Sequence, residues 1–335
     1  MLNVNNMVWQ PLFTFDLFEA ALSSHAFPQA APGVTRIKPL RGRMKKTYDI
    51  KGKTMKKMLL LLCLPMLLLS KEATIRMMSW NIWGNTQKDP AEREQPIIDV
   101  VKRYSPDIIL LQEVHPAWHQ SRLFTESTEE YETVMEPLGK FPCHVPVMFK
   151  KAKWTMLDHG LHLYHTTLDR SKGFSWVLLQ EKATGKKMIA ASTHFWWKVG
   201  PENNYIRTIN AKETNELLTA LQKKYDNVPV AIGGDYNSWL SSQAMNFLKA
   251  NGFRSAVEMT TDVTQASTHH GNPVKGEDGK FHGKRREKDD IPKTSIDHIM
   301  VRGDQIDAKR FVVVLEQDAL DASDHSPIFM DFVWK

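Results

Sequence analysis

Apolar residues along this chain fall into two rhythms. Ala73 to Ile82 is rich in apolar and β-favouring residues and reads as a strand. Asp107 to Val114 is a continuous apolar run, the pattern of a strand buried on both faces, and Val228 to Gly233 is another, ending in Gly233-Gly234. Phe174 to Glu181 and Lys187 to His194 flank Ala183-Thr184-Gly185-Lys186 and predict a hairpin. Ser295–Val301, Phe311–Leu315 and Ile328–Val333 are the last strands. Elsewhere the period becomes helical. Ile97, Ile98, Val101 and Tyr104 predict a helix over 90–104, with Asp89 as N-cap, Pro90 in the first turn and Glu92 completing a capping box. Ile206, Ile209, Leu217, Leu218 and Leu221 predict another over about 205–224, and Ser242 to Asn251 a short one closed by Gly252. Interleaved strands and helices with a hairpin predict an α/β protein with mixed sheets. Residues 269–293, full of Gly, Lys and Arg, form the one long irregular segment.

A different pattern precedes these elements. Lys56-Lys57-Met58 leads into the apolar run Leu59 to Leu69, with the small residues Ser70 and Ala73 beyond it. This is the layout of a secretory signal peptide at about 55–70, and the run is well short of the roughly 20 residues that span a bilayer. Leu62 stands before Cys63 where a lipid anchor would want a small residue, so lipidation is not expected. Residues 1–54 hold Pro28, Pro32 and Pro39 without clean periodicity, and are read as an unstructured upstream extension of a chain starting at Met55. Without the leader only Cys143 remains. A single thiol closes no intrachain disulfide, so residues 71–335 must fold on their core as one domain.

Charge changes meaning once it is divided. The formal net charge is +6, but residues 1–70 hold ten Lys/Arg against three Asp/Glu. Residues 71–335 carry 34 against 35 and are close to neutral, so global charge gives no argument for nucleic acid.

Polar residues recur where the predicted strands end. Asn81 closes the first in Trp80-Asn81 and Glu113 the second in Gln112-Glu113. His194 closes the hairpin in Thr193-His194, and Asp235 and Asn237 follow the next strand in Gly234-Asp235-Tyr236-Asn237. Asp297 lies in Ile296-Asp297, and Ser323-Asp324-His325 precedes the last strand. Strand ends are where α/β folds gather ligand contacts. In this order the motifs resemble the endonuclease/exonuclease/phosphatase superfamily, secreted bacterial type, over about residues 74–334. Each motif is short; the ordered set is specific. The resemblance implies the deoxyribonuclease I-like fold, a four-layer α/β/β/α sandwich of two mixed β-sheets.

It also implies the chemistry. Phosphoester hydrolysis needs neutralisation of the phosphate and the leaving oxygen, and a base for the attacking water. Mg²⁺ suits the first demand, because it takes a few carboxylates and keeps its waters, with Mn²⁺ a possible substitute. By the resemblance, Glu113 is the main metal ligand, with Asn81 and Asp324. His325 activates water, and Asp297 fixes its tautomer. Asp235 and Asn237 orient the nucleophile and a phosphate oxygen between them, and His194 donates to a non-bridging oxygen. No carboxylate partner for His194 is identifiable in the sequence. Trp196, two residues on, shares its face in an extended strand and is a candidate substrate wall, while Phe195 and Trp197 point to the core. His298 and His269-His270 are read as structural or loop residues.

The expected protein is therefore a monomeric, exported, metal-dependent phosphoester hydrolase on a small or lipid-linked substrate. A secreted nuclease of the deoxyribonuclease I type is the alternative, with Lys284-Arg285-Arg286 as its basic patch. A non-catalytic binding module on the same scaffold would require loss of the metal or base residues, and all are present.

Overall fold

The computed structural model describes residues 73–86, 90–135, 144–166 and 169–335. The predicted extension 1–54, the predicted leader 55–70, the predicted N-cap Asp89 and Cys143 lie outside the described residues. A seven-stranded sheet and a six-stranded sheet pack face to face, confirming the two mixed sheets expected from the pattern.

The strands in chain order are β1 Ile75–Asn81, β2 Ile108–Gln112, β3 Tyr131–Val134, β4 Val147–Lys150, β5 Trp154–Leu163, β6 Gly173–Glu181, β7 Lys187–His194, β8 Val230–Asp235, β9 Arg254–Ser255, β10 Val263–Thr264, β11 Val274–Lys275, β12 Phe281–His282, β13 Asp297–Arg302, β14 Ile306–Val313 and β15 Ile328–Trp334. The longer helices are α1 Glu94–Tyr104, α2 Pro201–Lys224 and α3 Gln243–Ala250, with a shorter α4 Gln317–Ala322. One sheet runs β10-β14-β15-β1-β2-β4-β3 and the other β5-β6-β7-β8-β13-β9.

Three apolar clusters separate the four layers. Ile75 and Met77 of β1 and Ile108 and Leu110 of β2 meet Met188, Ala190 and Ala231 between the sheets. The alternate residues Met78, Trp80, Ile109 and Leu111 pack under α1 and α4. Val230 and Ile232 of β8 pack under α2 and α3. Both faces of the central strands are therefore dry, which is why they read as apolar runs.

Three corrections concern the elements. Helix α1 begins at Glu94 rather than Pro90, and no side chain caps it; the N–H groups of Arg93 and Glu94 turn back to Pro90 O. Glu92 instead pairs with Lys275. Helix α2 starts four residues before the predicted point, at Pro201, whose fixed φ suits a first turn. Strands β3 and β4, four residues each, escape the pattern, and so does β5, because past Trp154 its residues are half-buried or exposed and include Asp158, His159 and His162.

Candidate active site

The inward face that builds the inter-sheet core also delivers the site. Counting by two from the core residues reaches Asn81 on β1, His194 on β7 and Asp235 on β8. Register places His194 opposite Asp235 in the parallel β7/β8 pair, and Asp297 opposite Asp235 in the antiparallel β8/β13 pair. Three predicted residues thus lie in one row across one sheet. Asn81 and Glu113 come from the other sheet, at the C-terminal ends of its parallel pair β1/β2. A buried polar layer separates the site from the apolar core: Gln112 Nε2 donates to Ser192 Oγ at 3.0 Å and Ser192 Oγ to Leu111 O at 2.6 Å. Gly233 is required at this level, since a Cβ there would stand 2.7 Å from Leu110 Cδ1 and 3.0 Å from Ser79 Cβ on the facing sheet.

His325 precedes β15 in a pinned turn. Its N–H donates to Ser323 Oγ at 3.1 Å, and Trp80 Nε1 donates to its carbonyl at 2.9 Å. His325 Nδ1 meets Asp297 Oδ2 at 2.8 Å, the predicted pairing. Its Nε2 lies 3.7 Å from Asp235 Oδ2 and 3.9 Å from Asp324 Oδ1. Burial alone would push this imidazole down, but Asp297, Asp324 and Asp235 together hold it well above the ordinary histidine value. Asn81 Nδ2 donates to Asp235 Oδ2 at 3.1 Å, while its Oδ1 accepts from Trp83 N–H at 2.9 Å. Asn237 N–H donates to Asp235 Oδ1 at 2.8 Å.

Glu113 and Asn237 both adopt positive φ, 59° and 47°. Non-glycine residues there cost of order 1–3 kcal/mol and concentrate at functional sites. Glu113 Oε2 is buried with no hydrogen-bond partner, and burial raises its carboxyl despite the opposing charge of Lys172. The carboxyls of Glu113, Asp235, Asp297 and Asp324 outnumber Lys172 and the His325 ring, the basic groups that face them. A buried carboxylate oxygen without a donor, in a net acidic pocket, fits a hard dication held through oxygen. Glu113 and Asp324 offer it carboxylate oxygens, Asp324 beside His269 and His325, while Asn81 has turned Nδ2 to Asp235 and Oδ1 to Trp83 N–H.

Sequence reasoning missed Lys172. It is 3% exposed, and its Nζ lies 2.7 Å from His194 Nε2 and 3.1 Å from Nδ1. The partner of His194 is thus a lysine, with Asp235 Oδ2 farther off at 3.4 Å. Burial and then the Lys172 charge hold His194 well below its ordinary value, so the ring is neutral. Ser171-Lys172-Gly173 carries no motif; only the pairing of Gly173 with His194 across β6/β7 brings the amine here.

The aromatic wall also differs from expectation. Strand β7 ends at His194, so alternation does not continue to Trp196. Trp196 is fastened to α2, its Nε1 donating to Asn203 Oδ1 at 2.6 Å and its N–H to Asn210 Oδ1 at 3.1 Å. Trp197, expected in the core, is 55% exposed and lines the cleft with Trp239, while Phe195 is buried as expected. The cleft has a volume of about 1110 Å³, with Glu113, Lys172, His194, Asp235, Asp324 and His325 at its floor. His269 also lines it, its ring centroid 4.8 Å from that of His325. His270 and His298 are structural, bonded to Ser326 Oγ and Ser238 O.

Residues 78–325 match the family model described as Endonuclease/Exonuclease/phosphatase family. Tyrosyl-DNA phosphodiesterase 2 of Xenopus laevis is 23% identical over 177 residues, half of this chain and 42% of that protein. Among solved structures, an endonuclease/exonuclease/phosphatase from Bacteroides vulgatus superimposes with a TM-score of 0.61 at 21% identity, covering 79% of this chain and all of the other. The mannosyl-6-phosphatase of Bacteroides thetaiotaomicron gives 0.61 at 19%, covering 77% and 99%. At such identities the structural likeness is one of fold.

Proposed function

The chain belongs to the endonuclease/exonuclease/phosphatase family, and from that premise we propose that it is a Mg²⁺-dependent hydrolase of a small or lipid-linked phosphoester. One observation carries the reading: His325, held by Asp297 at 2.8 Å, turns its Nε2 toward the pocket that also holds the unpartnered oxygen of Glu113. A dication bound by Glu113, Asp324 and Asn81 would supply charge to the phosphate and the leaving oxygen. With the charge of Asp324 taken up by that dication, the hold on the His325 proton would relax, and the neutral ring's Nε2 would take the proton of the attacking water, Asp297 stabilising the imidazolium. Asp235 and Asn237 orient the water and a phosphate oxygen, while Lys172, just before β6, and His194, at the end of β7, face the remaining oxygens.

Trp197 and Trp239 at the mouth suit a compact organic group, and Lys284-Arg285-Arg286 does not line the cleft. A polynucleotide end is the second reading, favoured by the similarity to tyrosyl-DNA phosphodiesterase 2. A panel of sugar phosphates, phosphoinositides, sphingomyelin, DNA, RNA and a tyrosyl-DNA phosphodiester, each with Mg²⁺, decides between them. Chelation and Glu113→Ala should each abolish turnover, with Mg²⁺ or Mn²⁺ restoring the chelated enzyme. Full activity in excess chelator would sink the mechanism. We also read residues 55–70 as an export leader. N-terminal sequencing of active protein should find a start near Lys71 to Thr74, and an intact Met1 or Met55 would refute export.

A further inference from the structure

Outside the cleft, the end of strand β5, the turn that follows it and helix α2 bring two imidazoles onto one carboxylate. His162 Nε2 and His165 Nδ1 lie 2.9 and 3.0 Å from the same atom, Glu213 Oε2, and the three ligand atoms fall within 4.8 Å of one another. We propose that His162, His165 and Glu213 form a second metal site, for a transition-metal dication of the Zn²⁺ type. Two imidazoles and a carboxylate are a donor set of Zn²⁺ sites that keep a fourth position for water. Ligand bonds of about 2.0–2.2 Å in a tetrahedron put donor atoms roughly 3.3 Å apart, a few tenths beyond the spacing to Glu213. Nitrogen donors select against Mg²⁺, so the site does not duplicate the chemistry of the cleft. His165 is exposed, which leaves the fourth position open to solvent.

The triad is held before any ion arrives. Tyr164, between the two histidines, is buried, and its hydroxyl meets Thr193 Oγ1 and Thr214 Oγ1 at 2.7 Å each. Thr214 follows Glu213 directly, and Asn210 Nδ2 donates to Thr166 Oγ1 at 3.0 Å. The histidine segment is thus fastened to α2 on both sides of the Glu213 contacts, the pre-organisation that a metal site needs. Thr193 adjoins His194, and Tyr164 N–H donates to the carbonyl of Lys172 at 3.1 Å. An ion here would secure the segment that delivers Lys172.

The full chain, stripped with chelator and kept in millimolar Mg²⁺ so that hard-ion sites are filled, is titrated with Zn²⁺, and with Co²⁺ as a spectroscopic probe. A single equivalent of Zn²⁺ should bind, and Co²⁺ should show the visible absorption of a four-coordinate nitrogen–oxygen site. His165→Ala, at an exposed position, should weaken binding by more than the roughly 10–100-fold typical of losing an outer-shell partner. Glu213→Gln should do the same, and Glu113→Ala should leave it intact. Absence of Zn²⁺ binding would overturn the proposal and leave a hydrogen-bonded triad only. Binding that survives His165→Ala and Glu213→Gln but is lost in Glu113→Ala would equally overturn it, by assigning the ion to the cleft.

Discussion

Asp297 is buried on β13, with one oxygen on His325 and the other without a hydrogen-bond partner, so its orientation rests on that single imidazole. The two residues should behave as one unit. His325→Ala is expected to lower kcat by on the order of 10²–10⁴, the share of a positioned acid–base group, and Asp297→Asn to lose most of the same factor. Steady-state kinetics on the double variant should find it no slower than the slower single; a loss equal to the product of both would break the pairing. His298 supports the fold rather than the chemistry. Burial pushes its ring down to about 4, against the smaller opposing effect of its bond to Ser238 O. Its folded value lies below the unfolded one of about 6.5, so unfolding takes up a proton between those limits. The stability is complete above pH of about 6.5 and is lost as pH falls toward 4. His298→Gln keeps a donor for Ser238 O and should flatten the loss in that window by up to about 1.36 kcal/mol per pH unit. Equal slopes in acid-titrated thermal melts would refute the assignment.

Elements buried on both faces were the legible ones. Strands β1, β2 and β8 announced themselves as apolar runs, and the β6/β7 hairpin through its turn. The site residues at their ends were legible for the same reason, as polar side chains closing those runs. Strand β5 stayed hidden because its half-exposed face carries Asp158 and His162, and Lys172 because cross-strand register leaves no mark in sequence. The misassigned tryptophan comes from extending strand alternation past the end of β7. This separates two neighbours in function. Trp197→Ala should raise KM more than it lowers kcat, since a wall at the mouth holds ground and transition states alike. Trp196→Ala should lower Tm through the lost contact with Asn203, with KM nearly unchanged. The reverse pattern would restore Trp196 as the wall.

For the whole molecule, near-neutral charge over residues 71–335 and the absence of Lys284-Arg285-Arg286 from the cleft lining point away from a phosphate-tracking groove. Binding through many DNA phosphates loses about 10³–10⁵ in affinity between 50 and 200 mM salt. The kcat/KM on the best substrate should therefore change by less than about tenfold over that range, and a collapse of a hundredfold or more would put the nuclease reading first. The seven-stranded sheet carries one more consequence. Its first strand is flanked by β2 and by β15, so the centre of the sheet joins residue 75 to residue 332. A chain emerging from the ribosome can pair β1 with β2 early, but the sheet stays split until Ile328–Trp334 has been made. Asp324 and His325 arrive at the same moment. A nascent chain thus lacks both the joined sheet and the Asp324–His325 side of the cleft until residue 334 has been made.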